Sequence, residues 1–80
     1  MAYAKTEEEW GSRASEHLKA RMKEAGVTYD DLIKKLRKHG FKDETRASIT
    51  MKLKRGTFAA GFMLACLAAL ELEGVRLEDI

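Results

Sequence analysis

The stretch ITMKLKRGTF, residues 49–58, sets Lys52, Lys54 and Arg55 around Leu53 and then stops at Gly56. Cationic side chains this dense pair with anions, and a nucleic acid offers phosphates at regular spacing. The cluster belongs to a longer basic segment. From Lys34 to Arg55 stand nine basic residues, at 34, 35, 37, 38, 42, 46, 52, 54 and 55, against only Asp43 and Glu44, a net charge of +7. The whole 80-residue chain is only +2, so the remainder is net −5, with acid near both ends at Glu7–Glu9 and at Glu71, Glu73, Glu78 and Asp79. A positive middle between acidic ends points to one polar face tuned for an anion. The alternative is a well-solvated surface with no partner.

Catalytic chemistry finds little to work with. Cys66 lies inside the apolar run FAAGFMLACLAAL, where its thiolate is disfavoured, so it reads as a core residue. A single cysteine excludes an internal disulfide and any cysteine zinc cluster. His17 and His39 have no partner at metal-ligand or acid–base spacing and read as structural or surface residues. Glu7–Glu9 and the Asp30–Asp31 pair are accounted for by helix starts. There is no phosphate-binding glycine loop. The expectation is a protein that is not an enzyme, with no cofactor, no metal and no small-molecule substrate.

The elements that must carry the basic segment are helices. Proline is absent and Ala, Leu, Lys and Glu are abundant. Thr6 with Glu9 three residues on resembles a capping box, and Trp10, Ala14, Leu18, Met22 and Ala25 then recur at helical spacing up to Gly26. Thr28, with Asp31, opens a second helix whose buried side is Tyr29, Leu32, Ile33 and Leu36; Gly40 stops it, and Phe41 packs inward from the link. Asp43 or Glu44 opens a third, with Ile49 and Leu53 as its core pair and Gly56 as its stop. Thr57 caps a fourth, which runs to about Glu73 with Gly74 after it. The spacing therefore predicts an all-α domain over residues 1–80, of four helices, or five if the tail VRLEDI forms one.

The N-terminal MAYAKTEEEW lacks the apolar core of a signal peptide. The longest apolar run, 13 residues, falls short of the roughly 20 needed to cross a bilayer. A cytoplasmic protein without a membrane partner is expected.

Every residue from Phe58 to Leu70 is apolar or glycine, and a helix apolar all round is normally buried all round. Three other helices can cover about two of its sides, which leaves the rest to the tail or to a second subunit. Isologous pairing about a two-fold is the commonest arrangement. Phe58, Phe62, Met63, Leu67 and Leu70 are accordingly expected at a homodimer contact, with residues 57–80 as the pairing segment.

The order of LKARMKEAGVTYDDLIKKL, ASITMKLKRG and FMLACLAAL resembles the DNA-binding domain of the λ-repressor-like family, over roughly Leu18 to Leu77. In that family a threonine-capped scanning helix precedes a recognition helix ending in Arg-Gly, and an apolar helix closes the core. The resemblance implies a helix-turn-helix core at about 28–56. It departs from the family pattern at Ile33, where a small residue is usual, at Tyr29, where a phosphate-touching glutamine is usual, and in the longer connection RKHGFKDE. The fragment ETRASI…RGTFAAGF is also similar to a small, uncharacterised bacterial family of short helical proteins.

With Ile49 and Leu53 inward, a rotation of 100° per residue places Ala47, Ser48, Met51, Lys54 and Arg55 outward, with Thr50 and Lys52 at the edges and Thr45 and Arg46 in the first turn. Thr45, Arg46, Ala47, Ser48, Met51 and Lys52 are thus the expected base contacts. Arg46 could pair with guanine, Ser48 could bond to several bases, and Met51 could touch a thymine methyl. Thr28, Tyr29, Lys34, Lys35, Lys38, Lys54 and Arg55 are the expected phosphate contacts. Together these describe a homodimeric, sequence-specific regulator of transcription, bacterial or phage, that binds duplex DNA at two half-sites. The alternative keeps the fold without DNA, as a protein-interaction adaptor or an anti-repressor.

Overall fold

A computed structural model describes residues 3–72, 74–77 and 80. Among them the chain is all-α, with α1 Glu7–Ala25, α2 Tyr29–Arg37, α3 Arg46–Arg55 and α4 Ala60–Ala69, and no strand.

Local chemistry sets most of the helix ends. At α1 the Glu9 N–H donates to Thr6 Oγ1 at 3.1 Å, and three glutamates occupy the first turn. The expected capping box is displaced by one residue, because the Glu9 carboxylate takes the N–H of Lys5 instead of that of Thr6. Gly26 closes α1 in the left-handed region at φ 68°, a conformation that costs glycine little. The reciprocal box at α2 is complete: the Thr28 N–H donates to Asp31 Oδ2, and the Asp31 N–H to Thr28 Oγ1, both at 3.1 Å.

The last two helices depart from the sequence reading. Thr45, not Asp43 or Glu44, caps α3, in a box completed by Ser48, which frees Glu44 for another role described below. Ala59, not Thr57, precedes α4 and offers no side-chain cap. Phe58, just ahead of the helix, packs edge-on against Phe62 at 5.4 Å between centroids. α4 stops at Ala69, short of the expected Glu73, a residue outside those described. Its stop is Glu71 at φ 61°, followed by a 2.9 Å hydrogen bond from the Leu72 N–H to the Leu67 carbonyl. A non-glycine residue in the left-handed position gives no warning in the sequence.

One core joins the four helices. Leu18 and Met22 of α1, Leu32, Ile33 and Leu36 of α2, Ile49 and Leu53 of α3, and Phe62, Cys66 and Leu67 of α4 are all buried. Each large apolar side chain removed from water contributes about 1.5–3 kcal/mol. Phe41 lies edge-on to Phe62, and Leu72 and Val75 beyond α4 also pack on this core, so the tail does cover part of the apolar helix.

The expected dimer contacts need correction here. Phe62, Leu67 and Leu70 lie inside the single chain and have no surface to lend to a second copy; Phe58 and Met63 are half-buried.

α1 meets the end of α3 backbone to backbone. A Cβ on Gly11 would stand 2.1 Å from the Gly56 carbonyl oxygen, and one on Gly56 would stand 2.8 Å from the Gly11 carbonyl carbon. Having no side chain at Gly11 is what lets α3 dock this closely.

Candidate nucleic-acid interface

α3 is held at both ends before any partner is considered. At its start the Ser48 N–H donates to Thr45 Oγ1 at 3.1 Å, and the Thr45 N–H donates to Ser48 Oγ at 2.9 Å. The Ser48 hydroxyl in turn donates to Glu44 Oε1 at 2.7 Å. Lys52, one turn on, pairs with the other carboxylate oxygen of Glu44 and stands 4.5 Å from the centroid of the Phe62 ring. The ammonium thus gains an anion and an aromatic face together. At the far end, Gly56 rests on Gly11.

The electrostatics follow from this geometry. Burial alone would raise the Glu44 carboxyl, but hydrogen bonds from Lys52 and Ser48 outweigh it and hold the group below its ordinary value. Cys66 goes the other way. Burial, with the Glu44 charge adding to it and Lys52 partly offsetting it, pushes the thiol up to about 12. It therefore stays protonated at neutral pH, a packing group and not a nucleophile.

Three expected base contacts change role. Thr45 and Ser48 spend their hydroxyls on the helix start, and Lys52 turns inward to Glu44 and Phe62. The residues left facing outward are Arg46, Ala47, Thr50, Met51, Lys54 and Arg55, with Met51 42% exposed. The Thr50 hydroxyl donates back to the Arg46 carbonyl at 2.8 Å, which limits what else it can bind.

The expected phosphate contacts also divide. Thr28 and Tyr29 border a hollow of about 380 Å³ with Arg46, and Lys19 and Lys23 of α1 complete it. This brings cations of two helices to the start of a third, beside the outward face of α3. The N-terminus of a helix adds N–H groups that favour an anion. Lys34 borders a separate hollow with Arg37 and Thr45, and also the one that Lys35 and Lys38 line. Lys35 and Lys38 lie with Gly26 and Asp31, and Lys35 also reaches a recess beside Ala69 and Glu71. Those two lysines are therefore on the far flank of α2 and do not join the α3 surface. Lys19 and Lys23 escaped the sequence reading, although their i, i+4 spacing near the end of α1 was the available signal. Arg46 also lies 3.9 Å from Asp30, a pair so exposed that it ties the arginine down little.

Comparison with known protein families matches residues 10–75 to one described as a domain of unknown function, DUF6471. The chain belongs to that family. No curated protein and no solved structure matches it. The family is an uncharacterised one, and the match carries no activity with it. Among the described residues of this DUF6471 domain, no three His, Cys, Asp or Glu side chains gather as a metal site requires, and no helix is long and apolar enough to cross a membrane.

Proposed function

We propose that this DUF6471 domain binds duplex DNA in the manner of a helix-turn-helix regulator of transcription, with α3 as the presented helix. The observation that carries the reading is the meeting of Lys19, Lys23 and Arg46 with the Thr28–Tyr29 start of α2, directly beside the outward face of α3. In this reading Lys19, Lys23, Lys54 and Arg55 engage phosphates, with the hydroxyls of Thr28 and Tyr29 as neutral partners. Arg46, Ala47 and Met51 face base edges; arginine suits guanine, and the two apolar side chains suit a thymine methyl. Lys35, Lys38 and Lys52 take no part.

The test is fluorescence anisotropy with labelled duplex DNA across a salt series. Four cationic phosphate contacts give a slope of about −3.6 in log affinity against log salt, a loss of about 150-fold between roughly 50 and 200 mM salt. Lys19→Ala with Lys23→Ala should lower that slope by about two, and Lys35→Ala should leave it unchanged. Affinity that ignores salt, or an equal effect from Lys35→Ala, would overturn the assignment.

A further inference from the structure

α4 is the one described helix whose exposed side carries no charge. Ala60, Gly61, Leu64 and Ala68 are exposed, and at 100° per residue they form one continuous stripe. Leu64 stands 67% exposed on it. Alongside lies a groove of about 550 Å³ walled by Trp10, Ala14, Phe58, Ala60 and Met63, with Glu7 the one charged residue of its lining; Trp10, stacked on Tyr3, is itself 36% exposed. The stripe on α4 is itself uncharged and continuous, and with a large protruding side chain it awaits a cover.

We infer that the cover is a second copy of this chain, paired stripe to stripe about a two-fold axis. Two observations select that occupant. First, a two-fold contact needs a knob and a notch on the same face, and the stripe offers Leu64 beside Gly61 and Ala68, where a partner side chain can approach the backbone. Second, α2 and α3 present Lys34, Arg37, Lys38, Lys54 and Arg55 outward, so identical copies meeting there would repel, whereas the α4 stripe sets no like charges against each other. The pairing goes beyond the DNA reading and does not depend on it.

Sedimentation equilibrium without DNA, from low micromolar to several hundred micromolar protein, tests this directly. The native chain should approach twice 9.0 kDa. Leu64→Glu should weaken association by about thirtyfold or more while helical circular dichroism and thermal midpoint are kept, because Leu64 gives little to the core. As a direct contact probe, Leu64→Cys should form a disulfide-linked dimer under mild oxidation and Thr50→Cys should not; buried Cys66 does not compete. A native chain at 9.0 kDa throughout, or a Leu64→Glu variant that pairs like the native chain, overturns the inference. The DNA titration separates the two readings: a dimer that ignores DNA sinks the DNA reading alone, and a monomer that binds DNA sinks the pairing alone.

Discussion

Replacing Gly11 by alanine sets two physical rules against each other. By helix propensity the change should help, since alanine inside a helix is favoured over glycine by about 1 kcal/mol. The packing says otherwise. The new Cβ would stand 2.1 Å from the Gly56 carbonyl oxygen, and carbon–oxygen contacts lie near 3.3 Å, so α1 and the end of α3 must part by more than about 1 Å. The oxygen is backbone and the position of a Cβ is fixed by its own backbone, so no rotamer change relieves the clash. Overpacking of this kind costs typically 1–3 kcal/mol, and the absence of a flexible neighbour puts Gly11 at or above the upper end. After the propensity gain, a net loss of about 2 kcal/mol remains, or roughly 8–16 °C in thermal midpoint for a domain this small. Urea and thermal unfolding followed by circular dichroism measure it. Gly61→Ala is the matched comparison, because a Cβ there meets nothing within 4 Å. At dilutions where chains are single it should gain about 0.5–1 kcal/mol. If Gly11→Ala also stabilises the domain, the close approach of α1 to α3 is not the contact described.

Two further outcomes follow from the cluster behind α3. The Glu44 carboxyl is held below its ordinary value of 4.5, so its contribution is present above that pH and is lost as pH falls through the folded value. Glu44→Gln should cost about 1–2 kcal/mol at neutral pH and flatten the acid end of a stability–pH curve measured by urea midpoints; an unchanged acid slope would remove Glu44 from the account. Cys66, 1% exposed with its thiol pushed up to about 12, should react with a thiol reagent only as fast as the domain unfolds. Rapid labelling of the folded chain would contradict its burial.

What the sequence made legible was periodic or chemical in a local way. Thr6, Thr28 and Gly26 announce helix ends through side chains that act within four residues, and the spacing of Leu18 with Met22 and of Ile49 with Leu53 marks core faces. What it concealed depended on partners distant in the chain. Lys52 looks like its neighbour Lys54 until Glu44 and Phe62 are brought beside it. Gly11 looks like a weak helix residue until Gly56 arrives. In α4, the apolar run gives no indication of which residues face inward, because period is visible only as contrast with polar positions. That is why the sequence points to Phe62, Leu67 and Leu70 as a dimer contact, whereas Leu64 is the residue exposed.

The division of labour along α3 bears most directly on function. Thr45 and Ser48 secure its start, Glu44 and Lys52 tie it to α4, Ile49 and Leu53 fill the core, and Gly56 seats its end on α1. Every one of these has a structural reason to be what it is. Ala47, Met51, Lys54 and Arg55 have none, being exposed on the outward side of the helix, and Arg46 has only its exposed 3.9 Å pair with Asp30. A helix anchored at both ends loses little further freedom when it meets a partner, which lowers the entropic cost of binding. The basic cluster at residues 52–55 therefore separates into one cation that builds the platform and two that face outward from it. That separation favours a presented surface over a merely solvated one, since a solvated face has no need of a rigid mount or of a methionine 42% exposed among its cations.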